Sequence, residues 1–150
     1  MAFSVHDDPP VNDGRRKGKQ RKRVDLRTDF GRYHPRARFR FEAKRLGKRH
    51  LAKTYLGVKG LGCFLCGDYA KEEDEAGMLD YVQTGNLEDW GKRIAEEIAK
   101  SPSLYVMHPA YPFSSHPMPG TGLLKVYRSK HYRSMVGRAI VITHTLLRLH

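Results

Sequence analysis

Charge is spread along this chain so unevenly that it decides which residues can form a core. Between Arg15 and Lys53 lie 17 of the 28 Lys and Arg residues, against Asp25, Asp29 and Glu42 alone, a net charge of +14 that exceeds the +12 of the whole chain. From Thr54 to Lys100 the balance reverses to 5 basic and 10 acidic side chains, and from Ser101 to His150 it is 6 basic and none acidic. Clustered like charges repel in a compact fold, so the core has to come from the later residues. Within residues 1–30, Val5, Val11, Val24 and Leu26 are almost the only sizeable aliphatics, and Pro9, Pro10, Gly14 and Gly18 interrupt them. Such a segment buries too little apolar surface to offset its ordering entropy. Residues 1–30 are therefore expected to be a disordered basic arm and residues 31–150 a single compact domain of ordinary size.

Within that domain, Arg36-Ala-Arg-Phe-Arg-Phe-Glu-Ala-Lys44 alternates strictly. A strand there would put Ala37, Phe39, Phe41 and Ala43 on an apolar side and Arg36, Arg38, Arg40, Glu42 and Lys44 on the other. A second strand is expected over residues 49–58, ending in a glycine-rich turn at Gly57, Gly60, Gly62 and Gly67. Asp68 predicts a helix from Tyr69 to about Thr84, stopped by Gly85. Asn86 predicts a better one, with Leu87, Trp90, Ile94 and Ile98 on one side and Pro102 as its stop. Residues 104–107 and 123–127 read as short strands around a proline-rich surface loop. Residues 130–143 are expected to be helical, although Ile140-Val-Ile-Thr143 is β-branched and also suits a strand. The fold class expected is α+β: a small antiparallel sheet with two or three helices on one face, preceded by the disordered arm.

The longest uncharged apolar run, Ala139 to Thr143 extended through Leu147, is far too short to span a bilayer, and no membrane partner is expected. The first residues lack the features of a secretory signal, and Asp7, Asp8 and Asp13 argue against a transit peptide. With two cysteines only, the composition points to a reducing compartment, nucleus or cytoplasm.

A concentrated cationic field needs a polyanion, and nucleic acid is the first candidate. Arg15, Arg16, Lys17, Lys19, Arg21, Lys22 and Arg23 would hold phosphates without reading bases, and also suit the nuclear import machinery. Arg36, Arg38 and Arg40 would project from a rigid strand about 7 Å apart, close to the spacing of successive phosphates along one strand, with Lys44, Arg45, Lys48 and Arg49 extending the track. The alternative is a solvent-facing strand whose long side chains shield an edge. Tyr33, Tyr55, Tyr111 and Phe113 are candidates to stack on unpaired bases.

Cys63-Phe-Leu-Cys66 has the spacing of half a structural zinc site, which His108 and His116, or His50 upstream, would have to complete, although the separation of eight between His108 and His116 is not the usual one. Two small side chains packed in a turn is the plainer account. Gly60, Gly62 and Gly67 lack the Gly-Lys-Ser/Thr ending of a phosphate loop. The run Glu72-Glu-Asp-Glu75 reads as a solvated helix start that could also hold the basic arm. Ser114, Ser115 and His116 lie together, but no sequence feature supplies an orienting acid or an oxyanion site, so no enzymatic activity and no cofactor are expected beyond that zinc.

The function expected is nucleic-acid binding of low sequence specificity, with RNA or single strands favoured over duplex DNA because no basic recognition helix appears. The layout, a basic arm ahead of one small domain, resembles the organisation of small viral RNA-binding, silencing-suppressor or capsid proteins and of ribosomal proteins. A protein-interaction adaptor with an import arm and a viral-type capsid subunit forming a homo-oligomer are the competing classes.

Overall fold

The structure, a computed structural model, describes residues 3–6, 26–30, 38–123 and 125–148. Among them, seven strands form one sheet: β1 (Phe3–His6), β2 (Leu26–Phe30), β3 (Arg38–Leu46), β4 (Glu75–Val82), β5 (Ser114–Ser115), β6 (Lys125–Arg133) and β7 (Arg138–Leu147). Their spatial order is β1-β2-β3-β4-β7-β6-β5. The central β3, β4 and β7 run parallel and the flanking pairs are antiparallel, so the expected small antiparallel sheet is replaced by a larger mixed one in an α+β fold. Strands β1 and β2 lie within the segment expected to be a disordered arm; the remainder of that arm, including Arg15 to Arg23, lies outside the described residues.

Parallel neighbours need crossovers, and these carry the helices. Helices α1 (Ala52–Leu56) and α2 (Leu61–Leu65) link β3 to β4, while α3 (Leu87–Lys100) follows β4. α3 forms as its sequence dictates: Asn86 Oδ1 accepts from the Asp89 amide at 2.7 Å, and Trp90, Ile94 and Ile98 are buried. All three helices cover one face of the sheet, where Leu46, Ala76, Met78, Val82, Ile140, Ile142 and Leu146 meet Tyr55, Leu56, Leu61, Phe64 and Trp90. Among the described residues, no helix is long and apolar enough to cross a membrane.

Four expected elements are corrected. Residues 75–82 form a strand inside the predicted helix 69–84: apolar side chains stand on both of its faces, Ala76, Met78 and Val82 on one and Leu79 and Tyr81 on the other, so the sequence shows no clean polar–apolar alternation. Gly77 is required here: a Cβ would stand 2.5 Å from the Phe41 ring and 3.0 Å from that of Phe39. The predicted helix 130–143 is the β6–β7 hairpin, closed by Gly137 at φ +75, so the β-branched Ile140-Val-Ile-Thr143 prevails over the helical spacing. Residues 52–56 of the predicted strand 49–58 are helical, and residues 104–107 form turns with one bridge, Met107 to His131.

A buried arginine fixes the acidic run after α2. Arg133, 2% exposed, donates to the carbonyls of Ala70 at 2.7 Å and Glu73 at 2.9 Å, converting residues 70–73 into a strap across the sheet end. Glu73, Asp74 and Glu75 then pair with Arg40, Arg138 and Arg128, so among the described residues the acidic run neutralises sheet arginines.

Candidate nucleic-acid interface

The alternation of β3 is as expected, but its faces are reversed. Register places Glu42, Lys44 and Leu46 beside Met78, Asp80 and Val82, on the side the helices cover. Arg40 lies there too, donating to Glu73 at 2.9 Å. Lys44 donates to Glu42, which is 5% exposed, and its charge also acts on fully buried Asp80. Arg40 and Lys44 thus serve as internal counter-ions. Leu46, two positions past Lys44, commits this side to the core. Arg38 is exposed at the start of the strand, Lys48 and Arg49 are exposed in the Gly47–His50 turn, and Arg36 lies outside the described residues.

The other face carries the apolar side of β3, and no described helix lies on it. Paired residues form rows across it. One runs Arg128, Thr143, Gly77, Phe41, and another Leu147, Tyr81, Arg45. Phe39 and Phe41 have ring centroids 4.7 Å apart and fold over Gly77. Both rings are half-buried, as are Leu79, Tyr81, Arg128, Lys130, Val141 and Thr143, while Arg45 is exposed. Among the described residues, the cations on this face are Arg45, Arg128 and Lys130, not Arg38 or Arg40. Four strands separate Arg128 from Phe41 inclusively, about 14 Å, and four residues separate the two rows, about 13 Å.

At the β6 edge an extended ribbon continues this face. His108 N donates to Lys130 O at 2.9 Å and His116 N to Val126 O at 2.8 Å, and β5 pairs with β6 between them. The ribbon holds Tyr111 58% exposed beside Lys130, whose Nζ is 5.0 Å from the ring centroid, and His108 stacks at 4.8 Å on exposed Tyr132. Of the aromatics singled out from sequence, Tyr111 is presented to solvent. Phe113 instead stacks on Tyr127 at 4.9 Å, Tyr55 is buried, and Tyr33 lies outside the described residues.

Beneath the helices runs a buried polar chain that sequence reading did not find. Tyr55 bonds His144 Nδ1; His144 Nε2 and Ser129 Oγ are 2.8 Å apart; Ser129 Oγ and His131 Nε2 are 2.8 Å apart; His131 Nδ1 is 2.7 Å from the Tyr105 carbonyl. A carbonyl only accepts, so His131 Nδ1 carries hydrogen. Burial lowers His131 to about 4, against the pull of that carbonyl, and lowers His144 to about 3, aided by His131. Both rings are therefore neutral at pH 7. Neutrality fixes every proton: Ser129 donates to His131, His144 Nε2–H to Ser129, and the Tyr55 hydroxyl to His144. Asp80 lies beside that hydroxyl, and burial holds it well above the usual carboxylate range, offset only in part by Tyr55 and Lys44. Its two oxygens complete no hydrogen bond. The alternation Tyr127-x-Ser129-x-His131 was the available signal, hidden because the expected strand stopped at Tyr127 and the expected helix began at Lys130. With Ser129, His131, His144 and Asp80 at most 2% exposed, the chain is a core-specifying network.

Cys63 is buried in α2, with Sγ 3.2 Å from the Val58 carbonyl, and Cys66 is exposed at its end. Among the described residues, Cys63, Cys66, His108 and His116 are not brought into one metal-binding group. Ser114, Ser115 and His116 stand on the edge ribbon, all exposed. No family model, curated protein or solved structure matches this chain.

Proposed function

We propose that the protein binds single-stranded nucleic acid, RNA in particular, on the open face of its sheet, with the basic segment Arg15 to Arg23 adding long-range capture. The observation that carries this reading is the combination on one helix-free face of Arg45, Arg128 and Lys130 with Phe39, Phe41, Tyr81, Tyr111 and Tyr132. Cations hold the backbone while π-faces accept any unpaired base, which gives affinity with little sequence preference. The area suits two or three bases, the number that an open sheet of comparable width stacks. A duplex hides its base faces and would need an inserted element. The one long described helix is unsuited to that: α3 carries Glu88, Asp89, Glu96 and Glu97 against Lys92, Arg93 and Lys100.

The test is binding of matched single- and double-stranded RNA and DNA oligonucleotides by fluorescence anisotropy between about 50 and 200 mM salt. Single strands should bind more tightly than duplexes, with affinity falling as salt rises. Equal affinity for duplex, or no salt-dependent binding of any form, would overturn the reading.

A further inference from the structure

The open face ends at the β6 edge in a cleft of about 450 Å³, within the about 300–1,000 Å³ range of small-ligand sites. Its floor is Arg128, Lys130 and Val141, its far wall Glu75, and its near wall the ribbon residues Tyr111, Ser114 and His116. The ribbon's backbone pairing with β6 holds that wall in place.

Glu75 Oε1 accepts from Arg128 Nη2 at 2.7 Å, across the intervening β7. Arg128 Nε is buried and has no hydrogen-bond partner. The Arg128 side chain is still 32% exposed, so guanidinium surface remains open to the cleft, and Lys130 adds a second cation with its Nζ 5.0 Å from the Tyr111 ring centroid. The cleft therefore offers an anion site, a flat exposed ring and a carboxylate acceptor side by side.

We propose that this cleft seats one nucleotide of the bound strand and prefers a base with an exocyclic amine. The phosphate lies on Arg128 and Lys130, the base stacks on Tyr111, and the amino group donates to Glu75. A carboxylate accepts from the cytosine N4 amine and repels the uracil O4 that replaces it, so cytosine and uracil, nearly equal in shape, are separated by this one group. An acidic peptide would use the cations but leave Tyr111 and Glu75 without a role. The inference rests on the open face being a nucleic-acid surface, and adds a specificity element to it.

The experiment titrates the full-length protein with cytidine monophosphate, uridine monophosphate and inorganic phosphate, following backbone amides of Tyr111, Ser114 and Lys130 by NMR. Cytidine monophosphate should shift these amides saturably and bind at least about fivefold more tightly than uridine monophosphate. Tyr111→Ala should weaken it about tenfold while Tyr111→Phe does not, in keeping with stacking. Glu75→Gln should abolish the preference, because an amide presents both donor and acceptor. Equal binding of the two nucleotides, a response to phosphate as strong as to either, or indifference to Tyr111→Ala would overturn the proposal. Oligonucleotide binding measured on the same samples separates the two readings. If it persists while mononucleotides leave the cleft unmoved, the cleft assignment alone fails; if it is absent, the open-face reading fails as well.

Discussion

Lowering the pH from 7 to 5 should destabilise the fold through His131 and His144. Their pKa values are lowered in the folded state to about 4 and about 3, from an unfolded value of 6.5. Below pH 6.5 the unfolded chain binds protons that the native network refuses. The stability that neutral burial provides is therefore complete above pH 6.5 and is lost as the pH falls toward the folded values. At pH 5 each histidine is 1.5 units below its unfolded pKa and still neutral when folded, which costs about 2 kcal/mol per ring and about 4 kcal/mol for both. Asp80 opposes this: its raised pKa means the folded state takes up a proton earlier than the unfolded one, adding stability as pH falls through the folded value. The net effect is thus at most about 4 kcal/mol. Urea denaturation at the two pH values measures the loss, and NMR titration of the eight histidines identifies its source. The ring signals of His131 and His144 should stay at their neutral positions to pH 5. If these two rings titrate near 6.5, or if the urea midpoint does not change, the buried neutral network is wrong.

Three substitutions probe the faces of the sheet. Lys44→Met should cost about 3 kcal/mol in urea denaturation, the low end for removing one partner of a buried pair because the Lys44 side chain is 26% exposed, with little change in oligonucleotide affinity. Gly77→Ala should cost about 1–3 kcal/mol, because the added Cβ drives the Phe39 and Phe41 rings outward, and it should weaken single-strand binding in the same anisotropy assay. Asn86→Ala removes the α3 cap, on the far side of the sheet from the open face. It should lower stability by about 1 kcal/mol and leave binding unchanged, which separates loss of fold from loss of surface.

Elements whose signals are local were legible in the sequence. α3 has its cap, its 3-4-4 apolar spacing and its proline stop within one short stretch, so no distant residue decides it. β3 was legible as a strand, but strict alternation defines two faces without saying which is covered. That choice was made by Leu46 and by the apolar parity of β4 and β7, both distant in sequence. Arg40 and Lys44 looked like a phosphate track because Glu73, which pairs with Arg40, comes from the strap before β4, and Asp80, which draws Lys44 inward beside Glu42, comes from β4 itself. β4 was misread because Asp68, the acidic run after it and the terminal Gly85 mimic a capped helix. Apolar Leu79 and Tyr81 on its open side, opposite Met78 and Val82, erase the polar–apolar alternation that would have corrected this. The aromatic ribbon was half legible: Tyr111 was singled out, but Arg128, Lys130 and Tyr132 became its neighbours only once residues 125–147 folded as a hairpin.

The most direct test of the open-face assignment compares two variants with equal charge removed. Arg45→Gln, Arg128→Gln and Lys130→Gln together strip the open face, while Lys53→Gln, Lys59→Gln and Lys71→Gln strip exposed positions on α1, the α1–α2 turn and the strap. Single-stranded RNA binding is measured for both across salt. The open-face variant should lose affinity by at least tenfold more than the other, with its salt slope reduced by about 2, the change expected for three lost contacts to a single strand. Equal losses and equal slopes from the two variants would mean that the charge acts diffusely and that the open face is not the binding surface.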